Sequence, residues 1–257
     1  MRPALSATPE IAALLVGAGL AAGAVNAVAG GGSLISFPAL LAAGYPSVTA
    51  NVTNTVALFP GYAGSVAGGR PELVGQGHRV RGAVVVCVVG AIGGCLLLLR
   101  TPGDVFRQVV PFLILAACGL LVLQPRLARV VAARQSGTGR PSPLMQAGLL
   151  LAAVYGAYFG AGLGVLLLGV LGVFLGERMA RVNALKNVLS LLINAVPLVA
   201  FGLFGPVAWE AVAVLALASL AGGYLGARVA GRLPSSVLRA AVVTYGVVVA
   251  VVLLVQG

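Results

Sequence analysis

The sequence predicts an all-α polytopic membrane protein built as two inverted repeats, each a Gly-broken re-entrant helical hairpin followed by three transmembrane helices. Three observations lead there. The 257 residues are 60% hydrophobic and only 8% charged, with a mean hydropathy of +1.09, more apolar surface than a soluble core can absorb. Two long apolar stretches are interrupted by glycine at matching places, Gly30-Gly31-Gly32 and Gly160-Ala161-Gly162-Leu163-Gly164. The basic residues, finally, sort cleanly to one side of a membrane only if each interrupted stretch returns to the side it came from.

The elements follow in order. The first interrupted stretch covers 11–44, and spanning segments follow near 47–69, 79–99 and 107–124. The second interrupted stretch covers 143–175, with spans near 180–203, 207–228 and 236–256. Each span has close to the 20 residues that cross about 30 Å of hydrocarbon. The chain thus divides into a first membrane repeat at 1–124, a basic cytoplasmic linker at 125–142 and a second membrane repeat at 143–257. Residues Gln135 to Ser142 are polar, Gly/Ser/Pro-bearing and basic, as a flexible linker is. The hairpins are uneven: 11–28 is about 27 Å long as a helix and 33–43 about 16 Å.

Topology rests on sixteen Lys and Arg residues. With the interrupted stretches counted as single crossings, eight fall on each side and no orientation is favoured. With each counted as re-entrant, Arg2, Arg100 and Arg107 face one side and the other thirteen the opposite side. The positive-inside rule selects the second arrangement. It puts both termini outside a plasma membrane and makes the repeats inverted, since each then holds three full crossings. The net charge of +11 is therefore a matter of membrane orientation and not of nucleic-acid binding.

The chemistry of a catalyst is missing from the sequence. Cys87, Cys95 and Cys118 lie in apolar runs without Cys-x-x-Cys spacing, and His78 is the one histidine. That speaks against a metal or other cofactor. Neither paired intramembrane aspartates nor a Gly-x-Ser-x-Gly elbow is present, so an intramembrane enzyme is the weakest reading. A carrier and a channel of the same architecture remain. Inverted repeats favour the carrier, because they permit alternating access.

The duplication shows in the letters as well. Ala50-Asn51-Val52-Thr53-Asn54 lies over Asn183-Ala184-Leu185-Lys186-Asn187, matching Thr53 to Lys186 and Asn54 to Asn187. The chain resembles the TauE/SafE family of sulfite-exporter-like permeases in several segments. They are Asn26 to Ile35 with Phe37-Pro38-Ala39-Leu40-Leu41, Tyr155 to Gly164, Asn183 to Asn187, Gly205-Pro206-Val207-Ala208-Trp209, and Gly222 to Arg228 with Leu238-Arg239. The resemblance runs from about 14 to 255. It implies a plasma-membrane carrier of small organic or inorganic anions, often sulfur-containing ones such as sulfite, sulfoacetate or related sulfonates.

A physical reason for an anion site stands beside that resemblance. Helices starting at Ser33 and near Leu163 present unpaired N–H groups and a positive dipole end toward the interior. In hydrocarbon such groups must line a cavity or meet a ligand. The expected substrate contacts are Asn26, Gly30, Gly31, Gly32 and Ser33 at the first interruption, Gly160, Gly162 and Gly164 at the second, and Thr53, Asn54, Lys186 and Asn187 opposite them. Lys186 is either an anion ligand or a lysine snorkelling to the cytoplasmic interface. Ser190 and Asn194 are assigned to interhelical packing. The partners expected are a small anion and the lipid bilayer, with a homo-oligomer left open.

Overall fold

The computed structural model describes residues 9–133, 142–229 and 235–256. Ten α-helices account for nearly all of them: α1 Pro9–Val28, α2 Ser33–Ala42, α3 Ser47–Gly68, α4 Gly77–Arg100, α5 Gly103–Ala133, α6 Pro143–Tyr158, α7 Leu163–Leu175, α8 Met179–Phe204, α9 Trp209–Val229 and α10 Ser235–Gln256. A single 3₁₀ turn, Arg70–Leu73, sits between α3 and α4. The linker assigned to 125–142 is helical as far as Ala133. Residues 134–141, its Gly/Ser-rich centre, lie outside the described residues, as does Arg2.

Among the described residues, five helices are long and apolar enough to cross a membrane: Pro9–Val28, Gly77–Arg100, Gly103–Arg126 within α5, Met179–Phe204 and Trp209–Val229. The protein is thus multi-pass. Two differences from the sequence reading have physical causes. The first arm of the first interrupted stretch has the length of a span by itself. The 22-residue α3 was expected as an ordinary span, yet its interior carries Asn51, Thr53, Asn54 and Thr55, which lower its hydropathy and are all buried. That helix is sheltered by protein and has no need of a lipid-facing composition.

Both glycine interruptions terminate a helix in one way. The N–H groups of Ala29 and Gly30 both return to the Val25 carbonyl, at 2.7 and 2.9 Å, and those of Phe159 and Gly160 to Tyr155, at 2.9 and 3.3 Å. Gly30 and Gly160 have φ of +83° and +81°, the left-handed conformation that ends a helix and that glycine adopts without a Cβ penalty. The next helix starts alike in both: Ile35 and Ser36 donate to the Gly32 carbonyl, and Val165 and Leu166 to that of Gly162. The hydrogen bonds of the two interruptions therefore correspond at a spacing of 130 residues, although Gly32 is right-handed at φ −61° where Gly162 is left-handed at +82°.

The following helices superpose at 132. Pro46 and Arg178 precede α3 and α8 with nearly equal backbone angles, and Ala50 and Val182 donate to their carbonyls. Asn51 thus corresponds to Asn183, Asn54 to Lys186 and Thr55 to Asn187. The overlay read from the letters, Thr53 on Lys186, is one residue out of register. On a helix one residue is about 100° of rotation, so the correction changes which side chains are equivalent.

Small residues let the helices approach backbone to backbone. A Cβ on Gly23 would lie 2.3 Å from the Ser219 carbonyl oxygen, on Gly222 2.1 Å from that of Leu20, and on Gly64 2.4 Å from that of Leu220. Along α1 and α9 the contacts advance together, from Gly19 against Leu215 to Gly23 against Ser219, so these helices run parallel. By the same criterion α3 runs parallel to α9, with Gly61 at Ser219 and Gly68 at Tyr224. Likewise α4 runs parallel to α6, with Gly90 at Leu150 and Gly94 at Val154. The principal packing pairs exchange when the first five helices are traded for the last five: α1 on α9 becomes α6 on α4, α3 on α9 becomes α8 on α4, and α5 on α7 becomes α10 on α2. The pairs α3 on α8 and α5 on α10 are their own counterparts and form the centre.

Candidate functional site

The two interruptions meet inside the protein. Gly30 and Gly164 touch through their backbones: a Cβ on Gly30 would lie 2.3 Å from Cα of Gly164, and one on Gly164 2.4 Å from Cα of Gly30. Ser33 joins them, its hydroxyl oxygen 3.9 Å from where a Cβ on Gly160 would stand. Across the contact, Phe37 of α2 meets Phe159 edge-on at 5.6 Å between ring centroids, sealing it with an aromatic pair.

Lys186 reaches the C-terminal end of α1, just before the first interruption. Its side chain is 1% exposed, so it does not snorkel to the interface. The ammonium donates to the Asn26 carbonyl at 2.8 Å and to the Ala27 carbonyl at 3.4 Å, both among the last carbonyls of α1. Asn183, one turn earlier on α8, donates from Nδ2 to the Ala27 carbonyl at 3.0 Å. A cation at a helix C-terminus meets the negative end of the dipole and the carbonyls that lack helical partners. The pseudo-equivalent bond exists in the other half, where Asn51 Nδ2 donates to the Tyr158 carbonyl at the end of α6, at 3.0 Å. Both α1 and α6 are thus held at their C-terminal ends by a helix from the other half of the chain.

Carbonyl dipoles are not a counter-charge. The ion pairs among the described residues are Arg79–Glu177, Arg178–Glu72 and Arg181–Glu177, and none involves Lys186. A charged ammonium in a hydrocarbon-embedded interior is costly unless it is paired. The positive ends of α2 and α7 lie at the same junction. Asn26 turns back to accept from the Gly32 N–H at 2.7 Å, which satisfies one of the free amides. The N–H groups of Gly31, Ser33 and Gly164 have no acceptor among the described residues.

The remaining expected contacts divide. Asn54 accepts from the Ser36 hydroxyl on α2 and so belongs to the junction. Asn187 is 2% exposed, and its Oδ1 has no hydrogen-bond partner. A Cβ on Gly31 would meet Leu121 and one on Gly162 would meet Ala117, both on α5. The hydroxyl of Thr53 accepts from the Ala208 N–H at 3.0 Å, in the turn before α9. On a helix of 3.6 residues per turn it points nearly opposite to Asn51 and about 100° away from Asn54. Asn194 donates to the Ser190 carbonyl at 2.8 Å, a bond within α8 that fits packing.

Sequence reasoning underrated Asn51 and Asn183, the pair that ties the repeats together. The signal that finds them is register. Anchored on the left-handed glycines Gly44 and Gly176, α3 and α8 place asparagine at the same position.

The comparisons with known proteins now decide the family. The family described as "Sulfite exporter TauE/SafE" matches residues 15–253. The chain belongs to the TauE/SafE family. Among the similar proteins is "Probable membrane transporter protein YfcA" of Escherichia coli K12, 28% identical over 227 residues, which cover 88% of this chain and 81% of that one. "Probable membrane transporter protein ORF9" of a Sinorhizobium species is 26% identical over 246 residues, 95% of this chain and 93% of that one. A "Probable membrane transporter protein" of Haemophilus influenzae is 28% identical over 240 residues, 91% of each. No solved structure matches. This TauE/SafE chain is a multi-pass membrane transporter.

Proposed function

We propose that this TauE/SafE transporter is a secondary carrier in the plasma membrane that binds a small anion beside Lys186, at the junction of the two broken helices. The family description points to sulfur oxyanions, sulfite among them, and to related organosulfonates. The observation that carries the reading is a buried ammonium whose protein partners are carbonyls alone. A bound anion supplies the missing charge. Unspent amides of Gly31, Ser33 and Gly164 and the dipoles of α2 and α7 add to the attraction.

The carrier mechanism rests on inverted repeats. Short connections join α3 to α4 and α8 to α9, so each of these pairs is expected to run antiparallel. Since α9 parallels α1 and α4 parallels α6, α6 then runs opposite to α1. The basic loop before α4 lies beside the turn before α8: Gln76 donates to the Arg181 carbonyl at 3.0 Å and Arg181 to that of Val74 at 3.1 Å. We assign that end to the cytoplasm, in keeping with the positive-inside rule, and both termini to the outside. A reporter fused after Gly257 that is active only in the cytoplasm should stay silent; activity would refute the topology.

The test of the site uses purified protein and Lys186→Gln, which retains a donor for the Asn26 carbonyl but removes the charge. Sulfite or a small sulfonate should raise the melting temperature of the wild type, and the variant should bind roughly 10- to 100-fold more weakly, the worth of one charge-assisted contact. Equal binding by Lys186→Gln would remove the lysine from the site. In proteoliposomes a carrier shows counterflow of labelled substrate, whereas a channel does not.

A further inference from the structure

The helices that hold the two interruptions, α3 and α8, carry free acceptors as well as donors, and that narrows the substrate. Three buried asparagine oxygens have no hydrogen-bond partner: Asn183 Oδ1, Asn187 Oδ1 and Asn51 Oδ1. Their orientation is set where the amide nitrogen is engaged, since Nδ2 of Asn183 and Asn51 donates to the terminal carbonyls of α1 and α6. Asn187 follows Lys186 directly and stands one turn beyond Asn183, so these three side chains share an arc of about 100° on α8. Asn51 and Asn187 are 1% and 2% exposed, too deep for bulk water to satisfy them.

Orphaned buried acceptors are costly, and more so in a low-dielectric interior. A substrate that only accepts hydrogen bonds, such as a fully deprotonated oxyanion, would satisfy Lys186 and the free amides. It would also set its own lone pairs against those asparagine oxygens. A substrate with an O–H or N–H satisfies both sets at once.

We infer that the anion this transporter selects carries a hydrogen-bond donor of its own, an inorganic oxyanion being taken in its monoprotonated form and an organic one with a hydroxyl or amino group. The inference rests on the anion site proposed above and assigns its substrate class. Asn187 and Asn51 are then specificity-determining residues: they discriminate among anions of equal charge, as sites built to pair a polar substituent reject analogues lacking it.

The experiment compares isosteric pairs on the purified full-length transporter: 2-hydroxyethanesulfonate against 1-propanesulfonate, and glycolate against propionate. Affinity is read from ligand-dependent melting shifts, and exchange from competition for counterflow in proteoliposomes. The hydroxylated member should bind at least tenfold more tightly in one pair or both. In Asn187→Leu, which removes an unpaired acceptor and no hydrogen bond seen in the structure, that preference should fall toward one while the charge requirement for Lys186 persists. Asn51→Leu provides the second variant. Equal affinity within both pairs, or a preference that survives both substitutions, overturns the inference while leaving the anion site intact. No binding of any of the four probes counts against the anion site itself, and the inference falls with it.

Discussion

Gly30 and Gly164 show how much a single hydrogen atom decides at the residue scale. Gly30 must adopt φ +83° to stop α1, and it must also admit the backbone of Gly164 within what would be bonding range of a Cβ. Gly164 answers to the second demand alone. Gly30→Ala should therefore destabilise by roughly 2–5 kcal/mol, combining a left-handed alanine with overpacking, and Gly164→Ala by about 1–3 kcal/mol. Thermal unfolding in detergent checks the order; a Gly164→Ala variant less stable than Gly30→Ala would show that backbone conformation is not what Gly30 contributes. The glycines were legible in the letters because punctuation of an apolar run is local. The fate of Asn26 was not. It was expected to face a substrate, but it bonds the Gly32 amide six residues on, a choice made by the angle between α1 and α2.

At the scale of elements, the buried polar stripes of α3 and α8 are the informative feature. Asn183, Lys186, Asn187, Ser190 and Asn194 repeat at intervals of three and four along α8, which on a 3.6-residue helix keeps them on one side. Thr53 falls off the corresponding stripe of α3, and its hydroxyl is spent on the α9 turn. A spacing argument already contained that result, while the overlay with Lys186 concealed it. Helix α9 is the other element of note, since it wedges between α1 and α3 on glycine. Gly223→Leu places carbons where the Gly61 carbonyl oxygen stands, 2.1 Å from an added Cβ, whereas a Cβ on Gly119 meets nothing within 4 Å, leaving Gly119→Leu room to begin. The first variant should fail to accumulate in the membrane and the second should accumulate as wild type does, by fluorescence-detected gel filtration. A well-behaved Gly223→Leu would refute close α3–α9 packing.

For the whole molecule, the two halves are joined at the end we assign to the cytoplasm by Arg79–Glu177 at 2.9 Å and Arg178–Glu72 at 3.3 Å, while Arg181–Glu177 at 3.1 Å lies within the second half. The Arg79 guanidinium that donates to Glu177, with Arg181 beside it, holds that carboxyl below its ordinary value, while partial burial opposes them. A carboxylate with a depressed folded-state pKa contributes stability that is present above its unfolded value and lost as pH falls through the folded one. Glu177→Gln should therefore be less stable than the wild type at neutral pH, and the difference should close below about pH 4. A difference in melting temperature that persists unchanged into acid would mean that Glu177 acts through packing and not through its charge.

The sequence by itself determined the membrane class, the helices to within a few residues except at the end of α5, the two interruptions and the family, because these depend on composition, on hydropathy over a window and on the backbone preferences of glycine. All of that physics is local or additive along the chain. Only the tertiary structure decided that Lys186 caps α1, that Asn51 and Asn183 bind the opposite repeat, and that Gly30 meets Gly164. Each of those contacts joins groups more than a hundred positions apart. Which of several equivalent acceptors a buried donor reaches is set by how whole helices cross, and no pattern of neighbouring residues encodes that crossing.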